Sequence, residues 1–323
     1  MLSVVIIGRN ESEHLLRLSN SINSLKDSCP FPIESIYIDS ASTDMSSNIA
    51  KDQFDKIESL TFSEHLCASA GRYVGTCEAI YPWILYLDGD MELCEEFHQV
   101  IKDLDKLDDR FIGVLGLYLH RFDNGRSTVQ TFRRPFGAND SAMHFGGAVV
   151  LRRDAILQAG NWDPALYGKE EIELYARLGD GKQVVSFVNI PMIYHYSEYY
   201  TRLEIIKRLM TPVGGLGKVF WGYGQCLRAS FVKGKFRALV KIEYELYAFW
   251  LTIFLLLILA LSGAFFWSLF LASAVVTALS LWSRPGSIVR YLLQPLSLAG
   301  WFRYFPWFRP MLRKWEREGD QAS

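Results

Sequence analysis

An α/β domain on a mainly parallel sheet, followed by an apolar hairpin with basic aromatic flanks, is the fold class this sequence predicts. Apolar runs of strand length alternate with helical patterns over the first half of the 323 residues. The pattern then changes: no charge occurs from 246 to 283, a stretch of 38 residues, and Lys and Arg crowd both of its flanks. Strands apolar throughout belong to parallel sheets covered on both faces. Long uncharged stretches belong to membranes.

The run Ser3–Ile7 reads as the first strand, broken by Gly8, and a helical stretch follows from Glu11 to Leu25. Ser35–Ile38 is a second strand, then come a polar turn and a helix that Asp44 can cap. Ile84–Leu87 is a third strand. Phe97, Val100, Ile101, Leu104 and Leu107 recur at the helical period and predict an amphipathic helix after it. Phe111–Phe122 and Ser127–Phe132 flank Asp123-Asn124-Gly125, a hairpin signal. Ala148–Leu151 is a further strand and Glu170–Leu178 a helix.

A net charge of −1 gives no electrostatic footprint for nucleic acid. The five cysteines form no CxxC pair, which fits reduced thiols rather than a disulfide framework or a zinc site. Met1 and Leu2 lead straight into the run Val4–Ile7, too short for an export segment and without a basic flank. No signal peptide is expected.

As one helix the uncharged stretch would be about 57 Å long, against about 30 Å for a bilayer core. Two short passes fit better, bending near Ser262-Gly263; a buried core hairpin is the alternative. Basic residues favour the cytosolic side, so both flanks are expected there, with an even number of crossings. Trp301, Phe302, Tyr304, Phe305, Trp307 and Phe308 mix with arginines in a tail suited to the headgroup layer. The basic segment between Arg202 and Lys241 reads either as membrane-proximal or as an ordinary solvated face.

Asp88-Gly89-Asp90 directly follows the strand Ile84–Leu87. Residues two apart at a strand end point the same way, so both carboxylates can meet one cation. A hard divalent ion, Mn²⁺ or Mg²⁺, takes such oxygens and is completed by substrate phosphates. A lone DXD motif is more often a turn or a helix cap. Here, however, the surrounding motifs resemble a family 2 glycosyltransferase of the GT-A nucleotide-sugar-binding fold, over roughly residues 1–200. Arg9-Asn10-Glu11 after the first strand resembles the family's start, and Asp39-Ser40-Ala41-Ser42-Thr43-Asp44 its turn after the second strand.

The resemblance implies donor-binding roles for Asn10, Glu11, Asp39, Arg72, Asp88, Gly146 and Gly147, with Asp39 accepting a hydrogen bond from the nucleotide base. Ala70–Gly75 keeps the basic Arg72 but has Tyr73 where the family usually has Asn, and a bare Arg72 is equally a surface ion-pair partner. Gly146-Gly147 matches a glycine segment near the donor sugar, where glycine lets backbone approach a ligand or serves a tight bend. Trp162-Asp163 and then Glu170-Glu171-Ile172-Glu173-Leu174 stand where the family has Glu-Asp-x-Asp-Leu. Glu171 takes the place of the catalytic base and Glu170 the preceding acid. A helix N-terminus favouring acids through its dipole is the competing account.

Asp88, Asp90 and His195 are the metal ligands that the resemblance implies, His195 following a strand that ends near Ile193. A lone His beside aromatics is also an ordinary core or surface residue. Gln225-Cys226-Leu227-Arg228 is similar to the Gln-x-x-Arg-Trp signature of processive synthases, but Ala229 replaces the Trp, so packing is the reading taken. Arg133-Arg134 either clamps phosphate or ends a strand.

The expectation is therefore a metal-dependent, inverting, hexosyl-type glycosyltransferase. It would move sugar from a nucleotide-diphosphate sugar to a lipid-linked saccharide in polysaccharide or glycolipid biosynthesis. It would sit at the bacterial inner membrane, with its catalytic domain and C-terminus cytoplasmic. The expected parts are a catalytic domain at 1–200, a basic amphipathic membrane-proximal segment at 201–245, a transmembrane hairpin at 246–283 and an interfacial tail at 284–323. A non-catalytic scaffold derived from the fold and a nucleotidyltransferase are the rivals. The second is disfavoured because Gly8-Arg9-Asn10-Glu11 makes a poor glycine-rich basic loop.

Overall fold

Strand β1 (Leu2–Gly8) is apolar on both faces because both faces are covered: Leu2, Val4, Val5 and Ile6 are fully buried. Burying such a side chain stabilises by roughly 1.5–3 kcal/mol. The computed structural model describes residues 1–61, 66–132, 142, 144–180, 184–201, 204, 215–261, 267, 271–272 and 297–306. β1 pairs in parallel with β2 (Ile33–Asp39) on one side and with β4 (Trp83–Asp88) on the other. β3 (Lys56–Ser59) adds to β2, also parallel. Helix α1 (Leu15–Ser28) packs with α2 (Ser46–Gln53), and α3 (Ala68–Glu78) lies on β1 and β2. Side chains at Gly71 and Gly75, one turn apart on α3, would run into Ile7 and Val5, so the small residues set how closely the helix approaches the strand.

The sheet is mixed rather than mainly parallel. Its nine strands run in the order β3-β2-β1-β4-β8-β6-β9-β5, with β7 on β6. β8 (Val149–Arg152) is antiparallel to both β4 and β6 (Gly113–Phe122), whereas β6 and β9 (Val185–Ser197) run parallel. β5 (Met91–Leu93) is antiparallel to β9. An apolar run such as Val149-Val150-Leu151 marks a strand buried on both faces but carries no direction. The hairpin of β6 with β7 (Ser127–Gln130) turns at the expected place, with Gly125 at φ 78°.

Three further elements differ from expectation. The amphipathic helix after β5 is only α4 (His98–Lys102), flanked by single 3-10 turns. β9 runs on to Ser197, so His195 lies within the strand and not after it. Asp44 stands one residue before the N-cap position Met45, yet it accepts the first amide of α2, that of Ser46, at 3.0 Å, and also the Ser12 amide at 3.2 Å. The cysteines are all free.

The C-terminal part packs on the domain through α5 (Arg153–Gln158), α6 (Glu170–Gly179), α7 (Gly215–Val232) and α8 (Phe236–Ile242), with α6 touching both α7 and α8. The basic character of 201–245 is partly spent inward. Lys233 Nζ donates to Asp163 Oδ2 at 2.6 Å and to Glu173 Oε1 at 3.0 Å, and Lys169 pairs with Glu243 at 2.9 Å. Gln225 receives the Tyr167 amide at 3.0 Å and donates to the Arg303 carbonyl at 3.1 Å, so it packs the 3-10 segment Leu298–Arg303 against α7. Tyr304, expected at a lipid surface, is buried with its hydroxyl on Asp163 at 2.7 Å.

The two-pass hairpin expected over 246–283 is not found: among the described residues no helix is long and apolar enough to cross a membrane. α9 (Tyr244–Leu261) spends its first turns on the protein, where Leu246 and Phe249 are buried. Most of 262–296, all of 307–323 and Arg133-Arg134 lie outside the described residues.

Lys233 neutralises two carboxylates that are almost wholly buried, so Lys233→Met should destabilise by about 3 kcal/mol at neutral pH. Burial acts upward on Asp163, but Lys233 and the hydroxyl of Tyr304 hold its pKa below 3.8. Its contribution is therefore complete above that value and fades as pH falls below it. Urea unfolding of both proteins across the acid range checks this: the difference should shrink toward pH 3, and a constant difference would contradict it.

Candidate active site

The C-terminal ends of β1, β2 and β4 form one edge, the position where open α/β sheets leave a crevice for ligands. Asp39 lies beside Gly8 on one side, and Asp88 beside Ile7 on the other. The Gly89 amide donates to the Ile7 carbonyl at 2.8 Å and so ties the DXD turn to β1. Asn10, at φ 61°, bridges loops: its amide donates to Ser42 Oγ at 2.9 Å and its Oδ1 accepts the Thr43 amide at 2.8 Å. Asp39 Oδ2 accepts the Ser42 amide at 3.0 Å, while its buried Oδ1 has no partner.

Arg72 organises the centre. Expected at the donor surface, it is buried on α3 with its side chain only 2% exposed. Nη2 donates to Asp88 Oδ1 at 2.7 Å, Nη1 donates to Glu170 Oε1 at 2.8 Å, and Glu171 Oε1 is 3.6 Å from Nη1. The guanidinium lies 5.1 Å from the ring of the buried Trp162. Burial alone would release its proton more readily, but Asp88, Glu171 and Glu170 bind it more firmly. One planar fork thus holds the end of β4 and the start of α6 together.

Gly147 leaves room for this pair: a Cβ there would run into Asp88 Oδ2 and lie 3.0 Å from Arg72 Nη2. At Gly146 an added Cβ would instead meet the aromatic rings of Phe132, at 2.9 Å, and Tyr118, at 3.1 Å. Both acids at the start of α6 are raised in pKa, chiefly by burial; each is further raised by a neighbouring carboxylate and opposed by Arg72. They differ in access. Glu170 is sealed against Arg72, whereas Glu171 keeps 22% of its side chain exposed.

A second group adjoins the first. Asp90 Oδ2 is 3.2 Å from His195 Nε2, and Asp90 Oδ1 is buried without a partner. Glu11 packs against Gly89 and is pushed up to about 8, first by burial and then by Asp90, Asp88 and Asp44. His195 binds its proton more firmly than usual; burial acts downward but the Asp90 hydrogen bond and charge outweigh it. Among the described residues no three ligand groups are preassembled for a metal. A cleft of about 910 Å³ opens from Glu11 and Asp90 toward Arg17, Arg121, Arg126 and Tyr196. His120 and Gln130, which continue from His195, carry no sequence signal beyond their strand positions.

This edge, with its DXD turn after β4, is where family comparison decides. Residues 3–157 match the family model described as Glycosyl transferase family 2. Over that stretch, just under half of its length, the chain is similar to family 2 glycosyltransferases. Solved structures of similar fold include S. aureus TarS, at 17% identity and TM-score 0.45, over 71% of this chain and 43% of that one. TarS 1–349 in complex with UDP-GlcNAc matches at 16% identity and TM-score 0.47, over 72% of each chain. GalNAc-T7 with UDP, GalNAc and Mn²⁺ matches at 16% identity and TM-score 0.48, over 70% of this chain and 47% of that one. Similarity at this level does not transfer substrates. No curated protein matches the chain.

Gly147 makes room for the Asp88–Arg72 pair. Gly147→Ala should therefore cost about 1–3 kcal/mol by overpacking. In an Asp88→Ala background the added cost should fall by more than half, because the two sites share one contact. A denaturant double-mutant cycle measures this, and simple additivity would rule the contact out.

Proposed function

We propose that the protein is an inverting glycosyltransferase that moves a sugar from a nucleotide-diphosphate sugar to an acceptor held at a membrane. The observation that carries this is Arg72 joining Asp88, at the donor edge of the sheet, to Glu170 and Glu171 at the start of α6. Donor-side and base-side carboxylates are thereby fixed in one centre.

Glu171 is the base in this reading. It is the more accessible of the two acids, and burial raises its pKa, which makes it a stronger proton acceptor. The acceptor hydroxyl passes its proton to Glu171 as its oxygen bonds to the anomeric carbon. The bond from that carbon to the phosphate oxygen breaks on the opposite face, and the nucleoside diphosphate departs. A single in-line displacement inverts configuration. Glu170 stays on Arg72 and positions the turn. The orphaned Oδ1 of Asp39 supports a hydrogen bond from the nucleotide base, and Asn10 holds the loop that carries it.

A divalent cation, Mn²⁺ or Mg²⁺, fits Asp90 and His195. One Asp90 oxygen is buried and unsatisfied, and the charge that lifts Glu11 calls for a counter-ion. Asp88 stands beside them but is already engaged by Arg72. When bound, such an ion offsets the charge that develops on the leaving diphosphate. Glu171→Gln should lower transfer at least about a hundredfold with donor binding retained. Asp90→Ala should abolish turnover that a chelator also abolishes, and Glu170→Gln should do less than Glu171→Gln. Product formation with a panel of nucleotide-sugars measures all three; full activity in Glu171→Gln would remove it as the base.

The membrane part of the proposal rests on α9. Leu251, Phe254, Leu255 and Ile258 share one helical face and are exposed, and Phe302 is exposed on the separate Leu298–Arg303 segment. An apolar face of this kind suits entry into one leaflet, which would bring a lipid-linked saccharide to the site on the cytosolic face of a bacterial inner membrane. Purified protein should float with vesicles containing anionic lipid, and a Phe254→Glu, Leu255→Glu variant should stay behind. Equal flotation of the two would sink the docking face.

A further inference from the structure

We infer that Lys169 and Glu243 are a positioning pair for Glu171: their ion pair ties the turn that carries the base to the junction where α9 leaves the domain. The inference rests on the proposed use of Glu171 as the base. Lys169 directly precedes the acid pair and opens α6, its carbonyl accepting the Glu173 amide at 3.0 Å. Its backbone is left-handed, at φ 64° and ψ 17°. A long side chain rarely takes that conformation, which persists only where the surroundings hold it. Three contacts from the C-terminal part do so, one at each of three successive residues. The Tyr167 amide donates to Gln225 Oε1 on α7 at 3.0 Å. The backbone of Gly168 lies against Gly222 of α7, where an added Cβ would stand 2.5 Å from the Gly168 nitrogen. Lys169 Nζ donates to Glu243 Oε1 at 2.9 Å, with the two side chains 18% and 13% exposed.

Glu243 is the single residue between α8 and α9. Its amide donates to the Leu239 carbonyl at 3.0 Å and ends α8; its carbonyl accepts the Leu246 amide at 3.0 Å and starts α9. Among the described residues its ion-pair partner is Lys169, and its Oε2 is buried without a hydrogen bond. A carboxylate so placed is tolerable because the ammonium meets its charge, so the pair holds the junction and the turn together. The two acids after Lys169 are held unequally. Glu170 is fixed to Arg72 at 2.8 Å, but Glu171 Oε1 stands 3.6 Å from the same nitrogen, beyond hydrogen-bond reach. The place of Glu171 therefore follows the turn. Arg72 fixes that turn from the sheet through Glu170, and Glu243 fixes it from the C-terminal part through Lys169. Burial and Arg72 act on the proton of Glu171 more strongly than Lys169 does, so the lever of Lys169 is position rather than charge.

Kinetics on the full chain, with the panel of nucleotide-sugars as donors, separate positioning from packing. A misplacement of about 1 Å costs about a hundredfold in rate, so a partly slackened turn should cost about tenfold. Lys169→Met and Glu243→Gln should each lower kcat about tenfold per folded molecule, with the KM for the donor within about twofold. The double variant Lys169→Met, Glu243→Met leaves no lone buried ion and should lose no more than either single variant, because the two act as a unit. Lys169→Arg should recover most of the rate. Lys235→Met removes an ion pair to Asp180 at the other end of α6 and should change nothing. Hydrogen–deuterium exchange needs no substrate: amides 173–176 should exchange about tenfold faster in Lys169→Met, relative to those of β1, and at the normal rate in Lys235→Met and Glu171→Gln. Additive losses in the double variant, a change in KM instead of kcat, no recovery in Lys169→Arg, or unchanged exchange at 173–176 would each overturn the pair. A normal kcat in Lys169→Met beside an inactive Glu171→Gln would overturn this inference alone and leave the base standing. Full activity in Glu171→Gln would remove both. If no donor in the panel is turned over, exchange at 173–176 decides by itself whether the pair holds the turn.

Discussion

The charge balance around Arg72 is the constraint on which the rest of the site depends. Its side chain is 2% exposed, and a buried guanidinium is tolerable only when carboxylates take up its donors. Asp88 and Glu170 do so at 2.7 and 2.8 Å, with Glu171 at 3.6 Å. Burial lifts the proton affinity of the acids at the start of α6, and the neighbouring carboxylates, three acids against one base, add to it. Stability and reactivity here share one cause. The close approach of α3 to β1 through Gly71 and Gly75 brings Arg72 to this depth, and Gly147 leaves the space in which the pair lies.

A second buried network holds α6 from the other side. Glu173 receives Arg177 at 2.8 and 2.7 Å and Lys233 at 3.0 Å, while Asp163 receives Lys233 and Tyr304. The helix that begins with the proposed base is therefore braced by residues from α7 and from the 3-10 segment beyond α9. The C-terminal part is a support of the catalytic turn as well as a candidate docking element. This explains why basic residues in 201–245 do not all face outward.

Much of the catalytic edge was legible in the sequence because its signals are local. A strand followed by Asp-Gly-Asp, a polar turn after β2 and an acid pair opening a helix are each set by a few neighbouring residues. What was not legible depended on distant partners. Arg72 reads as a surface residue until α3 is laid on β1, and Gly147 as a ligand-approach glycine until Asp88 is beside it. His195 reads as following a strand that ends near Ile193, yet pairing with β6 carries β9 on to Ser197.

The sequence by itself determined the parallel half of the sheet, the β6–β7 turn and the identities of the acids. These rest on short-range periodicity, turn chemistry and strand-end geometry. Only the tertiary structure decided that β8 enters the sheet antiparallel, that α9 spends its first turns on protein, and that one buried arginine holds Glu170 while Glu171 stays partly exposed. An apolar strand carries no direction, and an uncharged helix carries no label for what covers it. A carboxylate's proton affinity is fixed by charges brought near it from elsewhere in the chain.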